Sequence, residues 1–311
     1  MSYILSGKIN EYAEFRQFLL NFLPFFAFYY FTTKGILTEK KIKIFFILLL
    51  ITFILNMQTT SLQLEIQTGR DEFANNASYH IMGLLPFVFL IRKRFFTLFL
   101  ILLFFWYSLG SMKRSVLIIS LFSMILFTYS IYYEEKNTVK IKGLVIALLL
   151  SGALLFSIQY YYLNIGIGER FEERIMLMIY EGHSAGRDVL IKDFFEAWLA
   201  SENIFSYIFG LGYGSSTSVI SGSAHNDFMQ ILGENGLIGL IIFLLLFFYL
   251  ISNTFKLDQI KKYKIAYIML ISSMIMSALT SRWYGSSFFY MNCILLPFLL
   301  ASNNKILKNR I

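Results

Sequence analysis

Long apolar runs, separated by short segments that carry nearly all the charge, constrain this chain more than any other feature. "KIFFILLLITFILNM", "FFTLFLILLFFWYSLG" and "GLIGLIIFLLLFFYLI" are three of them. A soluble core does not need runs of this length, and an ordinary soluble domain carries about 25% charged residues. Here only 15% are charged. In hydrocarbon every backbone polar group must be satisfied within its own segment, so runs of this kind read as membrane-spanning helices. The expectation is an all-α polytopic integral membrane protein with about nine spans, near 17–33, 42–57, 75–91, 95–111, 115–133, 143–163, 237–253, 264–280 and 286–302. The third is the shortest: its apolar part "IMGLLPFVFLI" must draw in Asn75, Asn76 and His80 to cross, or be re-entrant.

The connecting segments alternate in character. One set, "KGILTEKKIK", "RKR", "EEKNTVKIK", "KLDQIKKYK" and "NNKILKNR", holds seventeen Lys and Arg, fourteen of them Lys. Short basic loops stay in the cytoplasm, which places this set and the carboxyl terminus inside. The other set holds ten, seven of them Arg, and includes the one long loop, 164–236. The expected organisation is a six-span bundle over 1–163, the large extracytoplasmic loop over 164–236 and a three-span bundle over 237–311. An odd span count puts the amino terminus outside, which suggests a shortened amino-terminal portion. The net charge of +8 follows from the positive-inside asymmetry and does not call for a nucleic-acid partner. Residues 1–16 include Lys8, Glu11, Glu14 and Arg16 and do not read as a cleavable signal. The one cysteine, Cys293, excludes an intrachain disulfide.

Three features of the long loop point to chemistry. "GRDVLIKDFFEAWLA" places Ile191, Phe194, Phe195 and Trp198 at helical spacing, as a short amphipathic helix that lies on the membrane surface or packs on the bundle. "GLGYGSSTSVISGS" has the Gly and Ser content of a turn, favoured over a phosphate nest. "SAHNDFMQILGENGLIG" then crowds His225, Asn226, Asp227, Gln230, Glu234 and Asn235 just before an apolar run. If the helix starts at His225, that residue shares an apolar face with Phe228, Met229 and Leu232, while Asp227, Gln230 and Glu234 share another. A neutral imidazole in such a place can accept a proton from a sugar hydroxyl.

The cations outside are chiefly Arg: Arg70, Arg114, Arg170, Arg174, Arg187 and Arg282, with Lys113 beside them. Arg holds phosphate bidentately and keeps its charge, whereas any single one near a bilayer also snorkels to lipid phosphate. As a set they favour an anion site. His183, His225 and the neighbouring acids lack metal-ligand spacing, so no metal is expected.

"GSAHNDFMQILGENGLIGLIIFLL" resembles the motif of the O-antigen polymerase and O-antigen ligase superfamily: a His, a small polar residue, an apolar helix, an acidic residue and a "GLIG" opening the next span. "SAGRDVLIKDFFEAW", "FGLGYG", "SLGSMKRSVLI" and "NNASYHIMGLLP" resemble that family's other segments, in order, with Ser115 where Gly is common. The resemblance covers about 75–311 and implies a membrane glycosyltransferase working on the outer side of the bacterial cytoplasmic membrane. Its donor would be an oligosaccharide on undecaprenyl pyrophosphate, polymerised into O-antigen, capsule or exopolysaccharide without metal, cofactor or nucleotide sugar. Membrane lipid, a flippase and a chain-length regulator are the partners it implies. By motif position His225 and Arg187 are carried over as catalytic, Arg114 and Lys113 as pyrophosphate contacts, and Glu234, Asn226 and Asp227 as supporting residues. Arg174 and Arg282 join the pyrophosphate contacts from the outer Arg set; Arg282 stands at a span end. A ligase that passes finished glycan to another acceptor shares the same loop. A lipid-linked glycan flippase or transporter predicts charges through the midplane of several spans, which this chain lacks.

Overall fold

The computed structural model describes residues 9–68, 76–91, 93–111, 113–134, 152, 156, 159–160, 187–201, 203–220, 224–256, 261–281 and 289–308. Over these residues the chain is all-helical. The helices are α1 (Ile9–Thr33), α2 (Glu39–Thr68), α3 (His80–Val88), α4 (Arg94–Gly110), α5 (Arg114–Glu134), α6 (Arg187–Leu199), α7 (Ile204–Phe209), α8 (Ser215–Val219), α9 (Asp227–Lys256), α10 (Lys261–Thr280) and α11 (Phe289–Lys308). A 3-10 turn, Asn76–Tyr79, leads into α3.

Among the described residues four helices are long and apolar enough to cross a membrane: Glu39–Ser61 within α2, Arg114–Ile131 within α5, Asp227–Phe255 within α9 and Tyr263–Thr280 within α10. The expected spans 42–57, 115–133, 237–253 and 264–280 fall on them. Those at 95–111 and 286–302 fall on shorter apolar helices, Arg94–Gly110 and Phe289–Asn303. The span read at 17–33 lies within α1, and most of 143–163 lies outside the described residues.

The short apolar stretch near 75–91 differs from a spanning helix. Nine residues at about 1.5 Å each make α3 roughly 14 Å long, less than half the roughly 30 Å hydrocarbon thickness. Every residue from Ile81 to Val88 is buried. The helix packs against α2, α4, α5, α10 and α11 and is the hub of the bundle. A segment apolar all round, with Pro86 inside it, suits a protein interior better than a boundary. Phe87 stacks on Phe46 of α2 at 5.8 Å, and Phe22 of α1 meets Phe289 of α11 edge to face at 5.0 Å. Ser108 and Ser123, buried in this bundle, donate to carbonyls of their own helices, those of Phe105 and Ser120.

Helix α10 orients the rest. At its first turn Tyr263 Oη donates to Glu39 Oε2 at 2.9 Å, bringing the Lys-rich starts of α2 and α10 together. At its last turn two side chains from the region before α9 reach its carbonyls. Twenty residues separate these ends by about 30 Å.

Candidate functional site

The site is built where 187–235 meets the end of α10. Arg187 opens α6, and its Nη1 donates to the Thr280 carbonyl at 2.8 Å. Asn226 Nδ2 donates to the preceding carbonyl, Leu279 O, at 3.4 Å. These carbonyls have no partner within their own helix, and the helix end carries partial negative charge, so a guanidinium and an amide are suitable caps. The consequence is that two motif segments far apart in sequence stand side by side.

Asn226 has a second task. Its Oδ1 accepts from Met229 N–H at 3.1 Å, and its carbonyl accepts from Gln230 N–H at 2.9 Å. It is the N-cap of α9, a position for which Asn is among the preferred residues. Asp227 follows in the first turn, buried, where the positive end of the helix favours a carboxylate.

His225 is therefore not in the helix. Placing it on the first turn, packed with Phe228, Met229 and Leu232, does not hold: it precedes α9, is exposed, and has φ 51°. It is the only non-Gly residue with positive φ among those described. The chain bends at this residue, between buried Ala224 and the Asn226 cap. The imidazole is presented outward beside Asn226 rather than desolvated in the bundle. Left-handed backbone at a non-Gly residue costs about 1–3 kcal/mol and concentrates at functional sites.

Beneath this turn, Asp227, Gln230 and Glu234 share one face, as their spacing predicts, and all three are buried. Glu234 Oε1 accepts from Ser216 Oγ at 2.8 Å and from Gln230 Nε2 at 2.8 Å, and Gln230 Nε2 also reaches Ser216 Oγ at 3.1 Å. Glu234 thus orients Ser216 and Gln230. Helix α9 breaks at Gly236 (φ 67°, ψ −166°), which strands carbonyls at the end of its first segment. The Gly-rich loop satisfies two of them: Leu211 N–H donates to Gly233 O at 2.7 Å and Gly212 N–H to Glu234 O at 3.2 Å. "GLGYG" is a turn, as its composition suggests, but a docked one, and these amides are not open to a phosphate. Gly210 and Gly236 mark a close crossing. A Cβ on the first would overlap the backbone of Glu234 and Asn235, and one on the second the backbone of Ile208 and Gly210. Gly233 makes room for the Phe194 ring of α6.

The structure brings His225, Arg187, Asn226, Asp227 and Glu234 into one region. Lys113 and Arg114 belong to the α4–α5 turn, where the Lys113 ammonium lies 5.6 Å over the Tyr79 ring. Helix α5, which this turn begins, packs on α10. Arg174 and Arg282, like Arg70 and Arg170, lie outside the described residues. Ser216 and the carbonyls of Leu279 and Thr280 are partners that the sequence does not announce. The hydroxyl sits in a loop that reads as a turn, and carbonyl partners depend on tertiary packing alone. No group of three or more His, Cys, Asp or Glu placed to hold a metal occurs among the described residues. The chain matches no family model, no curated protein and no solved structure.

Proposed function

We propose that this chain is a membrane glycosyltransferase that polymerises oligosaccharide repeat units carried on undecaprenyl pyrophosphate, at the outer face of a bacterial cytoplasmic membrane. One observation carries the reading: Arg187 and the His225–Asn226 turn are seated together on the last two carbonyls of α10. A cation that can hold a pyrophosphate and a residue that can take a proton then stand at one end of an apolar bundle. That is where a donor whose prenyl tail stays in the bilayer must present its reactive carbon.

In this reading an acceptor sugar hydroxyl attacks the anomeric carbon, the bond from that carbon to the pyrophosphate oxygen breaks, and the proton passes to the His225 imidazole. One amino group of Arg187 is held by Thr280, which fixes the plane of the guanidinium and leaves its other donors for the departing anion. Arg114, Lys113, Arg174 and Arg282 are proposed as further pyrophosphate contacts.

The test is purified protein with lipid-linked donor, read as chain length on a gel. General-base catalysis contributes about 10²–10⁴-fold, so His225→Ala should leave traces of polymer. Arg187→Lys keeps the charge and can still reach Thr280, yet loses the fork. We expect at least a tenfold loss, about 1.4 kcal/mol of barrier. Full-length product from a normally folded His225→Ala protein would end the catalytic assignment. In cells lacking the gene, single repeats on lipid indicate a polymerase, long unattached chains a ligase, and cytoplasmic accumulation a flippase.

A further inference from the structure

We propose that the end of α6 and the start of α7 form a lipid-binding foot, with Leu199, Ile204 and Phe205 inserted at the boundary between headgroups and acyl chains. The proposal rests on α9 spanning the bilayer and is independent of any glycan chemistry.

These three side chains are among the most exposed apolar groups outside the spans: Ile204 is 65% exposed, Phe205 57% and Leu199 47%. They are not on a floppy loop. Trp198 Nε1 donates to Ser206 O at 3.1 Å, Tyr207 Oη donates to Leu199 O at 2.5 Å, and the Trp198 and Tyr207 rings meet edge to face at 5.3 Å. Asn203 caps α7 by accepting from Phe205 N–H at 2.9 Å. An apolar tip held rigid and exposed is suited to an apolar occupant.

The level of the tip identifies that occupant. The far end of α7 crosses α9 at Gly236, through the backbone of Ile208 and Gly210. Gly236 is also where α9 changes character. Before it lie buried Asp227, Gln230 and Glu234; after it an outward band begins with Leu237, Ile238, Ile241 and Ile242 and continues to Phe255. A span with that band faces acyl chains from about Leu237 onward. Helix α7 therefore lies at the boundary, and its exposed tip continues the lipid-facing band sideways. Half-buried Tyr207 adds an aromatic, polar-tipped group of the kind favoured at this depth, with buried Trp198 packed behind it. The exposed pair Lys192–Glu196, at 3.7 Å, precedes the tip on α6 and stays in water.

The experiment uses full-length protein with Cys293→Ser, carrying Ile204→Cys, Phe205→Cys or Ser218→Cys labelled with bimane. The proteins are placed in phosphatidylcholine vesicles whose acyl chains are brominated near the carbonyl. Labels at positions 204 and 205 should be quenched by the bromolipid several-fold more than the label at position 218, and should be protected from aqueous iodide. Two tip positions guard against one substitution disturbing the fold. Iodide quenching at 204 and 205 equal to that at 218 would put the tip in water. Protection from both quenchers would mean that protein, not lipid, covers it. Either result overturns the proposal.

Discussion

At the scale of single residues, His225 is the clearest conflict between stability and position. Its left-handed backbone is unfavourable for an L-residue by about 1–3 kcal/mol, and glycine would relieve it while giving back about 0.5–1 kcal/mol through the freer unfolded chain. We expect His225→Gly to melt in detergent at or slightly above the wild-type temperature and to make no polymer. A marked fall in melting temperature would mean that the imidazole packs, and the functional reading of the strain would lose its basis. That strain was not legible in the sequence. The residue types in "HND" suggest a helix start, and Asn226 and Asp227 fill that role as cap and first turn, but the backbone angle of one residue is set by where the chain must go next. The Arg187 contact was equally hidden, because its partner is a main-chain carbonyl on another helix.

At the scale of elements, the first segment of α9 behaves as its pattern foretold. The Asp227, Gln230, Glu234 spacing predicts one shared polar face; that the face is buried comes from the packing. Its meaning depends on Ser216, which arrives from a loop with no periodic signal. Removing the acceptor strands a hydroxyl and an amide in a buried place, at about 1–3 kcal/mol for each group. Glu234→Ala should therefore lower the melting temperature clearly, whereas Glu234→Gln keeps an oxygen for both donors and should stay close to wild type in stability and activity. Loss of activity with intact stability in Glu234→Gln would reveal a role for the charge itself. Gly210 offers a second check on the same joint. Its φ of 83° and the backbone opposite it leave no room for a side chain, so Gly210→Ala should reduce the yield of folded protein, measured by monodispersity in detergent. The short α3 shows the limit of reading by hydropathy. An apolar run reports that a segment avoids water; neighbours decide whether it meets lipid or protein.

At the scale of the whole molecule, α10 ties two distant groups of residues to its opposite ends. Glu39 and Tyr263 join at one end, Arg187 and Asn226 at the other. Reporters inserted at Gly35 and Ser218 should accordingly read opposite compartments; the same compartment for both would overturn the span map. Composition made the bundle legible from the outset, because apolar blocks and basic loops are local properties. The convergence on one helix was not, since nothing in "SSMIMSALTS" shows which side chains will cap it. That convergence makes α10 a stiff strut about 30 Å long, pinned at both tips. A thinner or thicker bilayer tilts such a strut. The tilt would carry the guanidinium and the histidine turn as one unit while their mutual spacing stayed fixed, so lipid composition would adjust how deep this pair stands rather than how it is assembled.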